Sequence, residues 1–150
     1  MARKQPEFTV VIDTREQTPY SFPQSVVAKL DEGDYSIEGM QKRVAIERKE
    51  LSDCYGSCGA GRKRFEREVE RLAALEYAAI VVESTLEGLH VRPPFVRRMS
   101  GAAVRETLIS WSIRYGVHIW FAGNRRAGNA LTYSLLEKFW RYHASQETTT

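Results

Sequence analysis

Cysteine is scarce: Cys54 and Cys58 are the only two in 150 residues. A structural zinc site needs four ligands, and no second Cys/His pair at finger spacing accompanies them. They read as reduced thiols in or beside a loop. His90, His118 and His143 show no ligand spacing, and His118, inside an apolar run, reads as a core residue. No apolar stretch is long enough to cross a bilayer, and residues 1–5 are followed by no apolar signal segment. The expected compartment is the cytosol or a nucleoid-accessible space. Charge of one sign is also lacking: the net charge is only +3, so basic residues must cluster before they favour nucleic acid. Internal repeats and low-complexity segments are absent. At 43% hydrophobic, the chain has material for one core and one domain, with no room for a second module.

Short β-branched runs come first. Residues 8–12, 26–30, 34–37 and 43–48 read as strands, and the last three, joined by short turns, suggest an antiparallel meander. Helical spacing follows over 64–75, where Phe65, Val69 and Leu72 recur at i, i+4 and i+7. Residues 78–82 read as a strand buried on both faces, as in a sheet covered by helices. Ser100 can cap a helix with Val104, Leu108, Trp111 and Tyr115 in one stripe, ended by Gly116. A strand over 117–121 and a helix to about Tyr142 complete the order. The expected fold class is α/β, a mixed sheet with helices on its faces. Residues 1–7 and 145–150 are expected to be flexible, leaving 8–144 as the domain.

The chemistry concentrates at the end of the fourth strand, in Glu47-Arg48-Lys49. Alternation puts Glu47 and Lys49 on one face and Arg48 on the other. Asp34 lies thirteen residues before Glu47, at a strand start, and Asp13 leaves the first strand at an edge of the same sheet. Converging carboxylates suit Mg²⁺ or Mn²⁺, which prefer oxygen ligands, and a neighbouring lysine suits the orientation of an attacking water.

Gly33-Asp34, Glu47-Arg48-Lys49 and, three residues later, Asp53 resemble the GD-x(n)-ERK-xxx-D motif of XPF-type endonucleases. Val11-Ile12-Asp13-Thr14-Arg15-Glu16 resembles that family's V-D-x-R-E segment, and Gly33-Asp34-Tyr35 its GDY. Gly61-Arg62 and the helix after it look like the family's glycine-arginine step. The resemblance implies a restriction-endonuclease-like fold and metal-dependent DNA cleavage in repair or recombination. It implies that Asp13, Asp34 and Glu47 surround the metal and that Arg15, Glu16, Arg48, Lys49 and Asp53 belong to the active-site set. It also implies branched, flap or fork DNA as substrate, although the tandem helix-hairpin-helix module and helicase domain of many members have no counterpart in this sequence. The small architecture would suit a bacterial or phage enzyme. A non-catalytic DNA-binding or dimer-partner module of the same fold is the rival expectation.

Several residues keep two readings. Arg48 can brace the acids or touch DNA, Arg15 and Glu16 can act in the site or form a plain salt bridge, and Asp53 can cap the next helix. Residues 56–63 superficially match a phosphate-binding loop, but Gly61 is followed by Arg62-Lys63 rather than Lys and a hydroxyl residue, which excludes nucleotide hydrolysis. That stretch is expected to be a flexible loop whose Arg62, Lys63 and Arg64 meet the DNA backbone or simply water. Arg97 and Arg98, in a stiff basic loop, bind phosphate or belong to a surface linker. The last helix carries an apolar sector wide enough for a partner, so a homodimer through the last two helices is expected.

Overall fold

The computed structural model describes residues 7–144. The expectations for the two ends therefore lie outside the described residues, apart from Glu7. A six-stranded sheet runs in the order β2-β1-β3-β4-β5-β6. Its strands are β1 (Val10–Ile12), β2 (Ser25–Val27), β3 (Tyr35–Ile37), β4 (Val44–Lys49), β5 (Tyr77–Val82) and β6 (His118–Phe121). The pairs β1–β3 and β3–β4 are antiparallel, while β1–β2, β4–β5 and β5–β6 are parallel. Four α-helices cover it: α1 (Leu51–Cys58), α2 (Arg62–Ala73), α3 (Gly101–Tyr115) and α4 (Arg125–His143).

Alternation along β4 divides the core. Ala45 packs with Cys54, Phe65, Val69, Ile80 and Trp111 under α1, α2 and α3. Val44 and Ile46 pack on the opposite face with Tyr35, Ala79, Val81, Leu136 and Phe139 under α4. β5 contributes to both clusters, and Ala78 to Val82 are all buried, as a strand covered on both faces requires. Ser100 caps α3, accepting a hydrogen bond from Ala103 N at 3.1 Å. The helix stops at Gly116, whose φ of 77° suits a residue without Cβ.

Three expectations need correction. The strands over 26–48 are not a meander, because β1 lies between β2 and β3 and pairs with β2 in parallel. Residues 13–24 provide the dozen or so residues that a parallel connection needs. Residues 56–63 are not one loop: 56–58 end α1, 62–63 begin α2, and 59–61 form the turn between them. Cys54, Tyr55 and Cys58 are buried against the α3 side of the core, and that burial overrides the poor propensity of Gly56. His118 is exposed on the edge strand, where its ring stacks on Tyr77 at 4.7 Å, so it is no core residue.

Candidate active site

The backbone register brings the acids together. Ile12 pairs with Tyr35, and Tyr35 pairs with Ile46, forming one rung across β1, β3 and β4. The strands alternate in direction, so one step along each from that rung lie Asp13, Asp34 and Glu47. Two hydrogen bonds extend the ladder to this step: Asp13 N donates to Asp34 O at 2.9 Å and Asp34 N to Ile46 O at 2.8 Å. Gly33 makes the approach possible. Its φ is 73°, and a Cβ there would lie 3.0 Å from Ala45 Cβ and 3.1 Å from Ile46 O.

These acids line a cleft of about 230 Å³ with Asp31, Glu32 and Glu68, and Arg15 and Arg71 stand at its walls. Asp13 is buried and already engaged. Its Oδ1 accepts from Leu30 N at 2.8 Å, and its Oδ2 from Arg15 Nε at 2.7 Å. Burial works to raise its pKa, but the Arg15 guanidinium and the Leu30 amide outweigh that and hold the carboxyl below its ordinary range. Asp34 has no such partner. Its Oδ2 accepts from Arg48 N at 2.8 Å, yet burial, with the charges of Glu16 and Asp13, pushes it up to about 7. Glu47 is raised well above the carboxylate range by burial first and by Asp34 second, with Lys49 opposing.

Lys49 shares the Glu47 face, as alternation requires. Its Nζ donates to Ser57 Oγ at 2.8 Å, lies 3.9 Å from Glu47 Oε1 and sits 4.1 Å from the Phe65 ring centroid. A second hollow of about 370 Å³ begins there and includes Asp53, Arg64 and Glu68. Asp53 lies in the first turn of α1, where its charge complements the helix N-terminus. The N-cap position belongs to Glu50, so Asp53 is not the cap.

Arg48 points to the other face. Its Nε and Nη2 donate to Glu83 at 2.9 and 3.2 Å, Nη2 also donates to Glu50 at 2.7 Å, and Nη1 lies 3.8 Å from Glu16. Its guanidinium stacks over Tyr20 at 5.4 Å. Tyr20 OH donates to Glu83, while Tyr35 OH donates to Glu16 at 2.7 Å and accepts from Tyr20 N at 2.9 Å. Arg48 thus braces the site from behind, and Glu16 belongs to this rear network.

The basic candidates separate. Arg62 donates to Thr107 Oγ1 at 2.7 Å and stacks over Trp111 at 5.3 Å, tying α2 to α3. Lys63 and Arg64 are exposed in the first turn of α2, and only Arg64 lines the hollow beside Lys49. Arg97 and Arg98 are exposed in the loop before α3 and line neither hollow. Sequence reasoning missed Glu68 and Glu83. Glu68 stands at i+3 from Phe65 and i−4 from Leu72, inside the buried stripe of α2, and an acid at such a position is a signal in itself. Glu83 directly follows the apolar run of β5.

Among the described residues, no group of three or more His, Cys, Asp or Glu side chains stands as a ready metal shell. The residues still fit a divalent ion. Asp34 and Glu47 are adjacent carboxylates whose mutual repulsion a cation would relieve, and Mg²⁺ commonly takes one or two carboxylates with water and substrate oxygens.

Comparison with known proteins agrees with this architecture. Over 93% of its length the chain matches the solved structure "XPF from Aeropyrum pernix" with a TM-score of 0.68 and 21% identity, covering 68% of that chain. It matches "XPF from Aeropyrum pernix, complex with DNA" over 96% of its length, with a TM-score of 0.65 and 23% identity, again covering 68% of that chain. These matches show an α/β, restriction-endonuclease-like fold. No curated protein sequence matches. The ERCC4 domain matches residues 12–135, which include Asp13, Asp34, Glu47 and Lys49, and the chain belongs to the ERCC4 domain family.

Proposed function

We propose that the chain is a DNA endonuclease that hydrolyses phosphodiester bonds with Mg²⁺ or Mn²⁺, acting on branched, flap or fork DNA. One observation carries the reading: Asp34 and Glu47 crowd one cleft with raised pKa values, and Lys49 stands beside them. Structural roles rarely call for two adjacent half-buried acids whose pKa values stay raised despite a neighbouring lysine, whereas metal-assisted phosphoryl chemistry does. Asp34 and Glu47 would hold the ion, and Asp13 would join if Arg15 turned toward a phosphate. A bound cation would offset phosphoryl charge and acidify a water. Lys49 would orient that water and meet the developing negative charge. Arg48 and Asp53 order the site, and Lys63, Arg64, Arg97 and Arg98 would meet the DNA backbone, with Arg62 bracing the helix that carries two of them.

The test is cleavage of labelled single-stranded, duplex, flap, fork and four-way DNA with Mg²⁺ and Mn²⁺. Lys49→Ala should lose about 10² to 10³ in rate with its fold retained. Asp34→Ala should lose cleavage as well. Native rates in these variants would remove the assignment. The engaged state of Asp13 favours a second reading, a non-catalytic DNA-binding partner module. Calorimetric titration with Mn²⁺ separates the two, because such a module takes up no specific ion. A homodimer is proposed through the exposed apolar residues Ile109 and Ile113 of α3, Trp120 of β6 and Tyr142 of α4. Light scattering should give twice the chain mass at micromolar concentration.

A further inference from the structure

Beyond the cleft, on the side away from Lys49, lies a third hollow of about 400 Å³ that includes Lys29, Lys42 and Arg71. It is continuous with the acid cleft, because Arg71, Glu32 and Asp31 line both. The hollow beside Lys49 is continuous with the same cleft through Glu68. The three depressions adjoin one another in a row, and residues of α2 line all three. Arg64, Glu68 and Arg71 fall at i, i+4 and i+7 on one face of that helix, a cation at each end and an acid between them.

Resting on the nuclease reading above, we propose that one polynucleotide strand lies along this face of α2. Arg71, with Lys29 and Lys42, holds the backbone phosphates on one side of the cut bond, and Arg64 holds those on the other. Seven helical residues rise about 10 Å. A strand carrying one charge per about 3.4 Å of axis sets about three phosphates beside that length, the middle one opposite Glu68, Asp34 and Glu47. A phosphate is repelled by that acid centre unless a cation intervenes, and it is attracted at both flanks. The flank cations are available. Lys29 and Lys42 are exposed and make no ion pair among the described residues. Among the described residues Arg71 is held only by Glu32 at 3.2 Å, with its side chain 53% exposed, and such a pair is weak enough for phosphate to replace the carboxylate. Arg71, Lys29 and Lys42 are thereby positioning residues for the substrate.

Binding of a labelled fork and a labelled single strand, measured in EDTA, tests this apart from cleavage. Lys42→Ala/Arg71→Ala should weaken binding about tenfold or more and reduce the log–log salt slope by about 2, one for each phosphate that no longer meets a cation. A scan of single neutral methylphosphonate linkages locates those phosphates. One or two positions to one side of the cut should weaken wild-type binding, and the same positions should cost the double variant nothing further. Unchanged affinity and slope, or additive losses at every linkage, would overturn the path. Both substitutions are at exposed positions, and circular dichroism checks the fold. Native cleavage by Lys49→Ala would defeat the nuclease reading and leave the strand path standing, so the two failures are distinguishable.

Discussion

The two faces of β4 meet opposite electrostatic fates. Behind the strand, Arg48 is enclosed by Glu83, Glu50 and Glu16 and stacked on Tyr20, with Nε and Nη2 hydrogen-bonded to carboxylates and Nη1 facing Glu16 at 3.8 Å. Burial disfavours its charge, but those carboxylates raise its pKa above the ordinary arginine value. In front, Asp34 and Glu47 are pushed the other way, toward neutrality, because burial has removed water and Lys49, 3.9 Å from Glu47, only partly offsets that loss. Consecutive residues of one strand thus belong to a closed network and an open one. A closed network fixes geometry, whereas an open one keeps charge in reserve for something that arrives.

The largest effect is expected behind the strand. Glu83→Ala leaves Arg48 buried without its bidentate partner and removes the acceptor of Tyr20 OH. Breaking a buried pair from one side costs about 3–5 kcal/mol, which denaturant titration of folded protein would register. A loss under about 1 kcal/mol would show that water already serves Arg48 and that the rear face is not closed.

How much of this contrast was legible in the sequence depends on which physical signal each residue carried. The split of Glu47 and Lys49 from Arg48 follows from the two-residue period of any strand, and the apolar stripes of α2 and α3 were equally readable. The row of Asp13, Asp34 and Glu47 was not derivable from periodicity, since it needs β1 inserted between β2 and β3. The strand reading brought Asp34 and Glu47 together and offered Asp13 as an edge residue, and the motif resemblance grouped all three. Helix α1 was hidden because Gly56 lowers its helix propensity and Gly59 and Gly61 directly follow it, while the burial of Cys54, Tyr55 and Cys58 is a tertiary effect. Glu83 was hidden because its partner is a strand pairing away: Glu83 N donates to Lys49 O at 2.8 Å, which sets Glu83 at the end of β4.

In front, the contrast predicts a gain rather than a loss. The folded pKa of Asp34, about 7, lies above its unfolded value of 3.8, so between those values the native state binds the more protons. Stability from this group therefore falls as pH rises from about 4 to 7, and the penalty is complete above 7. Asp34→Asn keeps an acceptor for Arg48 N and should stabilise the metal-free protein at pH 8 by up to about 4 kcal/mol, with the gain fading as pH falls from about 7 to 4. Thermal melts across pH read this directly. Mg²⁺ or Mn²⁺ at a hundred times its Kd should then stabilise the wild type by about 2.7 kcal/mol and the variant by much less. Equal pH profiles for the two proteins would mean that water reaches Asp34 freely and that the front face stores no unmet charge.

The smallest effect sharpens the comparison most finely, because it concerns how tightly each face holds its cation. Arg48 has several carboxylate partners, whereas the Lys49 ammonium donates to one hydroxyl, that of Ser57, and rests on the Phe65 ring. Ser57 comes from α1, four residues after Asp53, so the position of Lys49 depends on a residue outside the motif. Removing one such hydrogen bond is worth about 1 kcal/mol, or about fivefold in rate if the ammonium acts in the transition state. Ser57→Ala should therefore lower kcat about fivefold while leaving DNA affinity near that of the wild type, and Ser57→Thr, which retains the hydroxyl, should recover most of it. A fall in both kcat and affinity that threonine does not restore would place the effect in the packing of α1. Unchanged kcat would mean that the ring and Glu47 hold the ammonium without the hydroxyl.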